Sequence, residues 1–250
     1  MKRHCDAAEP HDGKPSPLVE VYRKVLVTAE KLAPNGLFQV PGVRGKQVAL
    51  TIDDGPSTRT AELLDLLYSF NSRATFFLHT DQFDSIPGAS SVVQRMVGEG
   101  HEIANHMPDV RRSIALSAEE FEAEFERAHR RLQEAGQVPR FFRASGGIFH
   151  VTRMLPSLRR FDYFERFVMA SYLPWDTHLP FPHGYANQLA AGVFPGAIYV
   201  LHDGDHAKGN RLARTFEALR TLLERLQQQG YRAAPLGDLV DWSQQGPLPR

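Results

Sequence analysis

The sequence has a single cysteine, Cys5, so no intrachain disulfide can staple the fold. It lies in a polar stretch that does not supply the electropositive surroundings of a reactive thiolate, and reads as an incidental thiol. Charge of one sign is also lacking: Lys+Arg and Asp+Glu each total 29, for a formal net charge of zero. Nothing therefore favours nucleic acid or an anionic membrane electrostatically. No segment approaches the roughly 18 consecutive apolar residues of a membrane span. Met1-Lys2-Arg3-His4 leads into Asp, Glu, Pro and Gly, not into the apolar core of an export signal. These absences predict a soluble cytoplasmic protein that binds neither nucleic acid nor membrane. No repeat, low-complexity segment or dividing linker stands out, and nothing in the sequence speaks to oligomeric state.

What is present is a core-forming chain of 250 residues, 42% hydrophobic. Barrels of alternating strands and helices often reach this length as one domain. Residues 1–16 are polar, contain Pro and Gly, and are expected to be poorly ordered. Over residues 17–34, Val21, Val25 and Leu32 recur at helical spacing, and Pro34-Asn35-Gly36 ends the run. Short apolar runs then alternate with amphipathic ones. Strands are expected at Val48–Ile52, Ala74–Leu78, Glu102–Asn105, Phe141–Ala144, Tyr163–Ala170, Ala197–Leu201 and Tyr231–Pro235. Helices are expected through Ala61–Leu67, Val92–Val97, Ala118–Glu134, Arg153–Arg160, Tyr185–Ala191 and Leu212–Gln228. About seven parallel strands alternating with helices imply an α/β fold, a closed or nearly closed (β/α) barrel, over residues 17–250.

In such barrels the reactive groups gather where strands end and the following loops begin. Four expected strand ends carry polar residues that are costly beside a core. They are Asp53-Asp54-Gly55-Pro56, His101-Glu102-Ile103-Ala104-Asn105-His106, Phe142-Arg143 and Leu201-His202-Asp203-Gly204. Singly, each reads equally well as a turn, a cap or an ion pair; together they form one constellation. Adjacent carboxylates can divide labour, one binding a divalent metal and the other taking a proton from water. A histidine opposite can protonate a departing amine. A metal with an open position lowers the pKa of bound water to about 7, and carboxylate with imidazole suits zinc.

These four motifs, in this order and spacing from about residue 46 to residue 240, resemble those of the NodB-type polysaccharide deacetylases. The Ala74-Thr75-Phe76-Phe77 strand is similar too. The resemblance implies a distorted (β/α) barrel and removal of N-acetyl groups from aminosugar polymers or oligomers such as chitin-type chains or a cell-wall glycan. It implies a divalent metal, Zn2+ in the first place, with Co2+ or another ion open. It also implies roles: Asp53 as general base, Asp54 and His106 as metal ligands, Arg143 orienting the catalytic aspartate, and His202 as general acid. Asp176, in Pro174-Trp175-Asp176, stands where the family often has an acidic residue tuning the acid histidine.

Two motifs depart from the pattern. The second usually reads H-[ST]-x-x-H, but here it is His106-Met107-Pro108-Asp109-Val110, and Val110 cannot bind metal. Asp109 is the nearest replacement as third ligand; His101, or water and substrate alone, are the alternatives. His202-Asp203-Gly204-Asp205-His206 also has ligand types, in a turn-like spacing that favours a solvated loop. After Arg143 the chain reads Ala144-Ser145-Gly146-Gly147, without the usual aromatic. Those glycines either let backbone N–H groups approach an oxyanion or form a turn. Phe149, Tyr172, Trp175, Phe181 and Tyr185 are candidates for a groove or for core. The missing histidine keeps two further readings open: a small-molecule amidohydrolase on the same scaffold, and a metal-free carbohydrate-binding protein.

Overall fold

The computed structural model describes residues 17–171, 192–204 and 211–244. The expected helix Tyr185–Ala191, the 1–16 segment and the residues Tyr172, Trp175, Asp176, Phe181, Tyr185, Asp205 and His206 lie outside them. In chain order the elements are α1 (Pro17–Leu32), β1 (Gly36–Leu37), β2 (Gln47–Gly55), α2 (Thr60–Ser69), β3 (Thr75–Leu78), α3 (Gln82–Ser85), α4 (Ala89–Gly98) and β4 (Glu102–Asn105). They continue with α5 (Ala118–Glu134), α6 (Val151–Arg160), β5 (Phe167–Val168), β6 (Ile198–His202), α7 (Arg211–Gln228), β7 (Arg232–Ala234) and α8 (Leu236–Gln244).

The centre is a parallel sheet in the order β4-β3-β2-β6, with β7 also pairing β2. Strand β2 takes β6 along one edge, while its other edge is shared by β7 at Gln47–Ala49 and β3 from Thr51 onward. Alternation along the strands sorts two cores. Val48, Leu50, Ile52, Phe76, Leu78, Ile103, Tyr199 and Leu201 point outward and pack under helix residues such as Leu63, Leu67, Val93, Met96 and Leu222. Ala49, Phe77, Ala104, Phe141, Val168 and Ile198 point inward, against Leu236, Leu239 and Val240 of α8. Each Val, Leu, Ile or Phe among these contributes about 1.5–3 kcal/mol through burial.

Helix α5 shows how local chemistry sets an end. The Ser117 hydroxyl accepts from Glu120 N at 3.1 Å and the Glu120 carboxylate accepts from Ser117 N at 2.8 Å, a reciprocal cap. Behind it Phe121, Phe125, Ala128 and Leu132 form the buried face. Helix α8 covers the N-terminal end of the barrel. Leu236 N donates to Thr75 Oγ1 (2.7 Å), Thr75 donates on to Glu102 Oε2 (2.6 Å), and Gly237 N donates to the same carboxyl oxygen (3.1 Å).

Among the described residues, regular ladders stop at β4 and β6 and no continuous sheet closes the barrel. Isolated backbone hydrogen bonds cross the gap instead. Asn105 N donates to Phe141 O, Arg143 N to Asn105 O, Val168 N to Phe142 O, and Ser171 N to Ile198 O. The expected strand at Phe141–Ala144 is reduced to one bridge, Asn105 with Phe142, and that at Tyr163–Ala170 to two residues. The cause is a side chain: Arg143 Nε and Nη2 donate to the carbonyls of Val168 and Met169, acceptors that a longer ladder would need.

The turn before β6 leaves no room for a side chain. Gly196 has φ +83°, and a Cβ there would lie 2.1 Å from the Val40 carbonyl oxygen. Gly88 has a similar φ of +78° but open space around it. Gly88→Ala should therefore lose only about 1–2 kcal/mol of stability, through the left-handed strain it introduces. Gly196→Ala should lose clearly more, read as a larger fall in the denaturant midpoint; equal losses would contradict the close packing of this turn.

Candidate active site

Register explains why chemistry collects at the C-terminal end of this sheet. Thr51 and Asp53 continue the inward-facing row of β2, and Asp53 stands level with Phe77 of β3 and His202 of β6. His79 is the residue after β3 and continues the inward row of Thr75 and Phe77; His106 follows β4 in the row of Ala104. Successive strand residues should face opposite sides, which would send Asp54 outward. The backbone prevents this: the β2–β3 register shifts between Asp53 and Gly55, and Asp54 takes φ +67°. A bulged residue re-aims its side chain, and here both carboxylates reach one imidazole. His106 Nε2 is 3.5 Å from Asp54 Oδ1 and 3.9 Å from Asp53 Oδ2.

The second imidazole comes from the neighbouring strand. His79 stacks on His106 with ring centroids 4.7 Å apart, and its Nε2 is 3.4 Å from the same Asp54 Oδ1. Both rings are oriented through Nδ1, which faces a backbone carbonyl: that of Arg143 at 2.8 Å for His106, and that of Met107 at 3.4 Å for His79. Donating Nδ1–H to a carbonyl leaves the Nε2 lone pair turned toward Asp54, as metal-binding histidines require. Asp54, His79 and His106 thus offer three ligand atoms within 4.8 Å of one another. Two atoms each about 2.0–2.1 Å from a tetrahedral ion are separated by about 3.4 Å. The two Nε2–Oδ1 spacings match that value, so the donor set fits a divalent cation with a position left for water.

Protonated, the same imidazoles act as donors toward the carboxylate. Burial would push the Asp54 carboxyl up, but hydrogen bonds from His106 and His79 and the nearby histidine charges hold it well below the usual carboxylate range. Burial pulls His79 down despite Asp54. It acts on His106 in the same sense, but there Asp53 and Asp54 together outweigh it and raise the imidazole.

Beside the triad lies a buried ion pair. Arg143 Nη1 donates to Asp53 Oδ1 at 2.5 Å and to Thr51 Oγ1 at 2.9 Å, and the guanidinium sits 4.3 Å over the Phe77 ring. Burial lowers the arginine pKa, and Asp53 opposes that. The pair occupies Oδ1 of Asp53 and leaves Oδ2 on the His106 side. Asp203 braces the other flank: it is fully buried, its N–H donates to Asp53 O, and its carboxylate accepts from Ser57 Oγ (2.7 Å) and Thr60 Oγ1 (2.5 Å). The loop that follows the two aspartates is thereby tied to the residue that follows His202.

Comparison with known proteins assigns the chain to a family. Residues 41–163 match the family model described as polysaccharide deacetylase. Over 207 residues the chain is 32% identical to a chitooligosaccharide deacetylase of Bradyrhizobium sp., covering 78% of this chain and 90% of that protein. The chain belongs to the polysaccharide deacetylase family. It is also 28% identical over 218 residues to a peptidoglycan-N-acetylglucosamine deacetylase of Bacillus cereus, covering 86% of this chain and 98% of the relative. Among solved structures it is similar to a family 4 acetyl xylan esterase from Clostridium thermocellum in complex with cobalt. There the TM-score is 0.63 and the identity 29%, over 79% of this chain and 91% of that one.

In this family member the sequence-expected residues Asp53, Asp54, His106, Arg143 and His202 come together. Asp109 does not join them. Met107 takes φ +72°, its N–H held by Asn105 Oδ1 at 2.8 Å, and turns the chain outward. The Asp109 carboxylate then accepts from Arg111 N (2.8 Å) and Arg111 Nε (2.9 Å). His101 lies at the opposite end of β4, where its Nδ1 accepts from Ala74 N. The residue the sequence reading missed is His79. Its signal was a histidine immediately after the Ala74–Leu78 strand, with the inward parity of Phe77.

His79→Ala should abolish or severely weaken zinc binding measured by calorimetry on chelator-stripped protein, whereas Asp109→Ala should bind zinc as the unmutated protein does. The reverse pattern would restore Asp109 as the ligand.

Proposed function

We propose that this chain is a divalent-metal-dependent hydrolase that removes N-acetyl groups from aminosugar oligomers or polysaccharide. The observation that carries the reading is the Asp54, His79 and His106 donor set beside a carboxylate, Asp53, held by a buried guanidinium. The deacetylase names of the relatives support the acetamide and the sugar. Two imidazoles and a carboxylate suit zinc, and cobalt in its place. A bound cation supplies a Lewis acid for the acyl carbonyl and a water acidified toward about pKa 7.

The protein's own groups do the rest. Asp53 Oδ2 takes the proton of the attacking water, while Arg143 holds Oδ1 so that the carboxylate cannot rotate away. His202, level with Asp53 on β6, protonates the amine nitrogen as its bond to the acyl carbon breaks. The products are the free amine on the sugar and acetate. Asp176 is retained as the candidate that tunes His202.

Asp53→Asn and His202→Ala should each lower acetate release from N-acetylated chitooligosaccharides by about 10²–10⁴-fold, with metal stoichiometry unchanged. Wild-type rates in either variant would remove that residue from its role. Hydrolysis of simple amides alone, with none of the sugar, would overturn the substrate class.

A further inference from the structure

The loop after Arg143 carries an arginine with no assigned task. Gly146 lies three residues beyond Arg143, at most about 11 Å of chain, and has φ +82°. The space where its side chain would project is taken by another loop: a Cβ at 146 would lie 2.8 Å from Arg112 Cγ and 3.5 Å from Arg112 Cδ. The two loops are fixed together, since Ser113 N donates to Ser145 O at 3.0 Å. The 143–147 loop starts at His106 through the Arg143 carbonyl, and the Arg112 loop reaches it through the Ser113–Ser145 hydrogen bond. Arg143 O accepts from His106 Nδ1, and Arg112 follows His106 by six residues.

The Arg112 stem therefore packs on a bare glycine backbone while the residue as a whole is exposed. Each of the other arginines between residues 109 and 153 has a carboxylate or a backbone carbonyl as acceptor. The Arg112 guanidinium meets no acceptor among the described residues. The nearest acidic group in sequence, Asp109, is already taken by Arg111. A guanidinium on a seated stem, with its donor edge unengaged, is built to take a carboxylate or phosphate in a forked contact.

We propose that Arg112 binds an anionic group of the substrate, so that the preferred substrate is an N-acetylated aminosugar glycan bearing a carboxylate or phosphate close to the acetamide that is cleaved. This rests on the hydrolase reading above and names the substrate class within it. The net charge of zero hides the preference, because the positive charge is local: Arg111 is neutralised by Asp109 and Arg112 is not.

The test compares three oligosaccharides of equal length: one uncharged, one carrying a carboxylate and one carrying a phosphomonoester. Each is given at low ionic strength to the metal-loaded wild type, to Arg112→Gln and to Arg112→Lys. Arg159→Gln, which removes an exposed arginine paired with Glu165, controls for net charge. The wild type should prefer an acidic substrate, and the two acidic arms identify which anion is read. Arg112→Gln should lower kcat/KM for that substrate by about fivefold, the scale of an exposed ion pair, chiefly through KM. The uncharged substrate should be unaffected, and Arg112→Lys should restore only part of the loss. Raising salt should erase the wild-type preference. Calorimetric binding of the acidic oligosaccharides to wild type and Arg112→Gln reads the same contact without turnover, so loss of the hydrolase reading leaves this one testable. Equal binding by the two proteins, an unchanged acidic-to-neutral ratio in Arg112→Gln, or an equal drop in Arg159→Gln would overturn it.

Discussion

The Asp53–Arg143 pair sits where three parts of the structure meet, and each depends on it. Its guanidinium donates to Thr51 and Asp53 on β2 and to the carbonyls of Val168 and Met169 at β5. A side chain thus bridges the part of the barrel wall that the backbone leaves without a ladder. Removing one partner of such a buried pair costs about 3–5 kcal/mol, because the remaining charge keeps its desolvation without its counter-ion. The same contact fixes which oxygen of Asp53 is engaged and which faces His106. Barrel closure and orientation of the candidate base are one constraint.

A second constraint follows from strand geometry. Two adjacent carboxylates on a regular strand cannot serve one site, since they point to opposite faces. The bulge at Asp54 resolves that conflict through a left-handed residue, a conformation that persists only where the surroundings impose it. The surroundings here are visible: Asp203 clamps the Ser57–Thr60 loop on one side, and two imidazoles hold the Asp54 carboxylate on the other. Met107, the other left-handed residue at the site, is held in turn by Asn105. Strain is stored beside two of the three candidate ligands and balanced by buried hydrogen bonds.

Much of this was legible in the residues. The strands around Leu50, Phe76, Ile103 and Val200 read directly from short apolar runs, and α5 from the amphipathic run Ala118–Glu134. Asp53, Asp54, His106, Arg143 and His202 read from their places at strand ends. What did not read was set by tertiary contact. Phe141–Ala144 has a strand-like composition, but Arg143 diverts the acceptors a ladder would use. Asp109 is close to His106 in sequence, yet the turn at Met107 separates them, while His79, 27 residues before His106, is brought into ring contact by the pairing of β3 with β4. Sequence proximity misled where strand register did not.

The third candidate ligand, His79, comes from the residue after β3 rather than from the second motif. X-ray absorption on the zinc-loaded protein tests it most directly, because it counts imidazoles on the metal. One zinc per chain with two imidazole nitrogens and a carboxylate oxygen at about 2.0–2.2 Å is the expected result. A zinc site with a single imidazole and two carboxylates would contradict it.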